Sequence, residues 1–206
     1  FDFDDPKINA IKATHQPSPW AKDYGSFEIM AMTGVLKTTP AERASAFSRE
    51  DETCKAYHYQ AKLKDYDVVF EVAPTMRCAS FNITYPETDQ AWLLFDSQKG
   101  KGRALVDTKN QKVTGRVLNG RTNPGYIYFC ATFDKSFVAS GTDQGLAYVR
   151  FKTSANETVN MKIGTSWVSE AQAEANLRQE IGSDDFETVK AKARASWNQE
   201  LNKIQV

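Results

Sequence analysis

Up to about Phe151 the chain is a succession of short segments in which apolar and polar residues alternate, cut apart by turn residues. This limits the fold more than any other feature, because period-2 alternation suits a half-buried strand and no helix. Tyr57, Tyr59, Ala61 and Leu63 alternate with more polar neighbours, and Asp65-Tyr66-Asp67 then turns the chain into Val68–Val72. Arg77, Ala79, Phe81, Ile83 and Tyr85 share one face of the next segment, which Pro86 ends, and Ala91 to Phe95 is a short apolar run. Further strands are predicted at Arg103–Val106, Lys112–Leu118, Tyr126–Phe133, Leu146–Lys152 and Thr158–Gly164. Lys99-Gly100-Lys101-Gly102, Asn119-Gly120 and Asn123-Pro124-Gly125 supply turn chemistry between them. Many short strands at this spacing, with no internal repeat, predict a mainly β chain built as an antiparallel sandwich or barrel.

The pattern changes near Ser169. Ser169-Glu170-Ala171-Gln172 has the spacing of a capping box, so a helix is expected from there to about Glu180, with Gly182 ending it. A second helix is expected from Ser183 or Asp184. Phe186, Val189, Ala193, Trp197 and Leu201 then follow at three- and four-residue steps and line one face. That stripe must pack on something: the sandwich in this chain, or a further domain in a longer protein. The expected organisation is a β domain over residues 1–165 and a helical linker over 166–206.

The bulk numbers exclude some functions. A chain of 206 residues buries a sizeable core as one large β domain or two small ones. Lys+Arg and Asp+Glu are both 26, so there is no basic surplus for nucleic acid and no electrostatic reason for a membrane surface. No run approaches the roughly 20 apolar residues of a membrane span. The opening Phe1-Asp2-Phe3-Asp4-Asp5 reads as sequence from the middle of a protein. Cys54, Cys78 and Cys130 fit no zinc or redox spacing, and His15 and His58 are too few for a His-rich metal site.

There is no phosphate-binding loop and no Gly-x-Ser-x-Gly elbow. Glu50-Asp51-Glu52 and the group Asp2, Asp4 and Asp5 have the carboxylates for acid–base hydrolysis or calcium, but acidic runs are usually solvated and neither has EF-hand spacing. The segment Thr14 to Gly25 is the most informative. Pro17 and Pro19 hold it extended, and around them stand His15, Gln16, Ser18, Trp20, Asp23 and Tyr24. An indole covers the apolar face of a pyranose while fixed donors and acceptors meet its hydroxyls. The same residues also suit a loop pinned to the core by its tryptophan.

In order along the chain, several stretches resemble the N-terminal domain of glycoside hydrolase family 92. They are Phe3-Asp4-Asp5 with Ile8, the loop with His15, Gln16, Pro17, Trp20, Asp23, Tyr24 and Gly25, and Phe47-Ser48-Arg49-Glu50-Asp51-Glu52, with Arg49 where histidine is usual. Tyr57-His58-Tyr59, Arg77, Tyr85-Pro86, Phe133–Phe137 and Ala147–Phe151 follow, then Lys162–Ser169, Ala175-Asn176-Leu177, Trp197-Asn198 and Leu201.

The resemblance implies a supersandwich-like fold, C-terminal linker helices, and a parent protein that is a calcium-dependent, inverting exo-α-mannosidase, secreted or periplasmic. It implies that both catalytic carboxylates and the calcium ligands come from a C-terminal (α/α)6 domain. No Asp or Glu here is then catalytic, this chain binds no calcium itself, and alone it is inactive. Its expected part is one wall of the pocket for a mannose-containing glycan, with Trp20 on the sugar and His15, Gln16 and Asp23 contacting hydroxyls or holding the loop. The linkage cleaved, α-1,2 or another, is set largely by the other domain. The alternatives are a stand-alone carbohydrate-binding module, to which a long terminal amphipathic helix is of little use, and a purely structural sandwich.

Overall fold

The computed structural model describes residues 6–12, 27–98, 100–119 and 125–203. Its strands follow in chain order as β1 (Lys7–Ile8), β2 (Ile11–Lys12), β3 (Glu28–Thr33), β4 (Ser45–Ala46), β5 (Thr53–Lys55), β6 (His58–Leu63), β7 (Val68–Pro74), β8 (Cys78–Tyr85), β9 (Thr88–Asp96), β10 (Gly102–Asp107), β11 (Lys112–Asn119), β12 (Gly125–Phe133), β13 (Ala139–Asp143), β14 (Leu146–Thr153) and β15 (Glu157–Ser166). A one-turn helix α1 (Pro40–Arg43) lies between β3 and β4, and α2 (Glu170–Glu180) and α3 (Phe186–Leu201) follow β15.

Eight strands form one sheet in the order β10-β11-β12-β15-β8-β7-β6-β5, five form a second in the order β13-β14-β9-β3-β2, and β1 pairs with β4. The pairings are antiparallel, as alternating strands with short turns require. The sheets face each other across a core in which Phe95 of β9 stacks on Phe129 of β12 with centroids 6.0 Å apart, and Phe27 lies 4.3 Å from Phe129. The expected β-sandwich with C-terminal helices is therefore what forms.

Besides the two- and three-residue strands β1, β2, β4 and β5, two longer strands escape the sequence pattern. In β3, Ile29-Met30-Ala31-Met32 is buried throughout, so its sequence does not alternate. In β13 the residues are small and polar, and Gly141 leaves room for the ring of Tyr148, whose hydroxyl would stand 2.3 Å from a Cβ there.

Both long helices lie on the outer face of the eight-stranded sheet. Cys130, Gly164 and Cys78 are ladder neighbours on β12, β15 and β8, and these small residues let α2 come close. A Cβ on Gly164 would sit 2.2 Å from the carbonyl oxygen of Ala173 and 2.9 Å from the Leu177 Cβ. Ser169 caps α2 by accepting from the Gln172 amide at 3.0 Å, as expected. The reciprocal half of the box is not made, because the Gln172 side chain donates to Asn176 instead, at 2.9 Å. Gly182 ends the turn with φ +53° and donates to the Leu177 carbonyl at 3.0 Å.

The second helix begins slightly later than expected, because Asp185 is the residue that accepts from the Thr188 amide, at 2.8 Å. Its stripe divides. Phe186 and Val189 pack with Leu177, Ile181, Ala73 and Cys78, whereas Trp197 is 44% exposed and Leu201 63% exposed. No helix among the described residues is long and apolar enough to cross a membrane.

Candidate functional site

The segment singled out in the sequence lies between Lys12, at the end of β2, and Phe27, ahead of β3. His15, Gln16, Trp20 and Asp23 all lie outside the described residues, but the two ends of their segment are placed. Lys12 and Phe27 line the same pocket, about 290 Å³, which opens between the two sheets. Ile11 and Ile29 come to it from the smaller sheet, Tyr59, Val72, Phe81 and Ile163 from the larger, and Thr75, Met76 and Arg77 from the β7–β8 turn. It thus has apolar walls with a few polar groups at its edge, the usual make-up of a small-molecule site. Full burial of the Phe27 ring, about 2 kcal/mol of apolar transfer, holds the returning end.

One buried ion network underlies that end of the sandwich. Arg43, fully buried at the end of α1, donates through Nη1 to Asp96 at 2.8 Å and to the Thr38 carbonyl at 3.2 Å, and through Nε to the Asn9 carbonyl at 2.9 Å. Its Nη2 pairs with Glu28, whose other oxygen meets Lys12 Nζ at 2.8 Å. Tyr66 closes the arrangement by donating to the Arg43 carbonyl at 2.9 Å.

Glu180, the last residue of α2, holds the β7–β8 turn. It accepts from Thr75 Oγ1 at 2.5 Å, from the Arg77 amide at 3.0 Å and from Arg77 Nε at 2.5 Å. Met76, between those two residues, is left 90% exposed at the pocket. Burial alone would raise the Glu180 carboxyl, but the bonds from Thr75 and Arg77 outweigh it and hold the group below the usual carboxylate range. A depressed folded pKa contributes stability that is complete above the ordinary value of 4.5 and is lost as pH falls below it. Glu180→Gln is expected to cost about 2 kcal/mol at neutral pH. Thermal unfolding of both proteins from pH 7 to pH 3 should show the gap between them closing below about pH 4.5.

Two carboxylates of the Glu50-Asp51-Glu52 run have structural partners. Glu52 accepts from Arg49 at 2.6 Å and from the Tyr59 hydroxyl at 2.9 Å, while Asp51 faces Lys64 at 3.9 Å. Burial, and then the bond to Glu52, push the Tyr59 hydroxyl well above its ordinary range. Asp2, Asp4 and Asp5 lie outside the described residues. Among the described residues no three His, Cys, Asp or Glu side chains are grouped to hold a metal ion. Cys78 and Cys130 are buried, and burial raises their thiols to about 12 and about 11.

Arg43, Glu180 and Met76 were not reached from sequence. Arg43 meets Asp96 from 53 positions away, Glu180 meets Thr75 and Arg77 from 105 and 103, and no local spacing reports such pairs.

A sandwich with a pocket lined by Lys12 and Phe27, the residues that flank the 13–26 segment, agrees with the family resemblance, and comparison with known proteins settles the membership. The glycosyl hydrolase family 92 N-terminal domain matches residues 1–166, and the catalytic domain of the same family matches residues 172–206. The chain belongs to glycosyl hydrolase family 92, as its N-terminal domain. A family 92 α-mannosidase of Bacteroides thetaiotaomicron, solved with mannoimidazole, superposes with a TM-score of 0.88 at 25% identity, over 98% of this chain and 31% of that one. A family 92 inverting mannosidase of the same organism does so at 0.88 and 25%, over 100% of this chain and 30% of that one. An uncharacterized secreted glycosidase of Arthroderma benhamiae is 33% identical over 99 residues, which is 45% of this chain and 12% of that protein. The chain thus spans about a third of the solved relatives and an eighth of the secreted one.

Proposed function

We propose that this chain is the substrate-facing N-terminal part of an inverting, calcium-dependent exo-α-mannosidase. The observation that carries the proposal is the common pocket onto which both ends of the 13–26 segment open, in a chain that superposes over nearly its whole length on family 92 mannosidases. On this reading Trp20 covers the apolar face or edge of a terminal mannose, and His15, Gln16 and Asp23 meet its hydroxyls or hold the loop. The acid that protonates the leaving oxygen, the base that activates water and the calcium ligands belong to an (α/α)6 domain. No step of the reaction is then assigned to a carboxylate of this chain, which is inactive by itself.

In the same proposal residues 1–165 are the sandwich domain and 166–206 the linker into the helical domain. The exposed Trp197 and Leu201 at the end of α3 support a contact with further protein. A secreted or periplasmic location rests on the secreted relative.

The test is hydrolysis of α-1,2-mannobiose, with calcium, by the intact enzyme and its Trp20→Ala variant. Loss of a central aromatic contact is expected to lower kcat/KM on the order of 100-fold, about 2.7 kcal/mol. An unchanged kcat/KM would leave the sandwich a support without substrate contact.

A further inference from the structure

One buried guanidinium ties together both ends of the segment on which the proposed mannose site depends. Arg43 reaches Asn9, between β1 and β2, at 2.9 Å and Glu28, the first residue of β3. Glu28 in turn holds Lys12, the last residue of β2, at 2.8 Å. Among the described residues the ladder between β2 and β3 has two residue pairs, Ile11↔Ile29 and Lys12↔Glu28. So short a pairing is weak by itself, and it stands at the edge of its sheet. Packing does not call for a buried ion network at that place, since apolar residues of the same volume commonly serve as well or better. What the network adds is geometry, because a planar fork with several donors fixes its partners in direction as well as distance.

We infer that Arg43 is a positioning residue: through Glu28 and Lys12 it sets the separation of β2 and β3, and with it the pocket wall that Lys12 and Phe27 form. The inference rests on the mannosidase reading above. A wall displaced by about 1 Å weakens substrate positioning without removing any contacting group.

The test uses the intact enzyme with Lys12→Met, Glu28→Gln, the double variant, and Trp20→Ala alongside. Each single variant is expected to raise KM for α-1,2-mannobiose about tenfold with kcat within about twofold. The double variant should be no worse than the poorer single one, because both act through one network. Lys12→Arg should restore KM. Amide exchange in peptides covering residues 9–12 and 27–30 should quicken in both single variants, which a direct sugar contact by Lys12 would not produce. Unchanged KM in Lys12→Met and Glu28→Gln, with KM or kcat altered in Trp20→Ala, overturns the positioning role and leaves the mannosidase reading standing. Unchanged kinetics in all three overturns both.

Discussion

Replacement of Arg43 by methionine is expected to lower the thermal midpoint of the protein by about 10 °C, equivalent to about 4 kcal/mol. The cost comes less from the lost attraction than from what stays behind. Glu28 and Asp96 keep side chains only 13% and 12% exposed, and without the guanidinium Asp96 keeps no ion-pair partner among the described residues while Glu28 keeps only Lys12. The carbonyls of Asn9 and Thr38 lose a donor as well. Neutralising the two under-compensated carboxylates should therefore recover part of the loss, so that Arg43→Met with Glu28→Gln and Asp96→Asn is more stable than Arg43→Met alone. Thermal unfolding of the native protein, the single variant and the triple variant checks this. A single variant within 2 °C of native would mean that water reaches the two carboxylates freely.

Gly164→Val is expected to lift α2 from the sheet, at a cost of about 3 kcal/mol. The added Cβ would meet a backbone oxygen of α2 at 2.2 Å, and no rotamer relieves a clash at Cβ. The helix must move as a body, which exposes Leu177 and uncovers Cys78 and Cys130 on either side of the substituted position. In the native protein Cys54 is the exposed thiol, and the other two are buried with their ionisation suppressed. A thiol reagent should accordingly label one cysteine in the native protein and all three in the variant. Labelling confined to Cys54 in both, with an unchanged midpoint, would show that the sheet and helix separate at this point without strain.

Elements that present one face to the core, such as β6 and β8, were legible because period-2 alternation is a local consequence of that burial. The capped start of α2 at Ser169 and its end at Gly182 were legible for the same reason, since caps act within a turn. The Thr14–Gly25 segment stood out by residue type, and the family by the order of many short stretches. β3 did not stand out, because complete burial erases alternation, and neither did β13, whose role is to leave room for Tyr148.

The sequence by itself therefore determined a β-sandwich with two helices after it and membership of family 92, and singled out the segment that carries Trp20. Tertiary structure alone decided that Lys12 and Phe27 open onto one pocket, that a distant arginine ties β2 to β3, that Glu180 holds Met76 at the rim, and that the stripe of α3 is covered only to Ala193. The physical reason is range. Alternation and capping act between near neighbours, whereas the pocket needs one sheet packed on the other, and the ion network needs Lys12, Glu28 and Asp96 paired across β2, β3 and β9 with Arg43 of α1 against them.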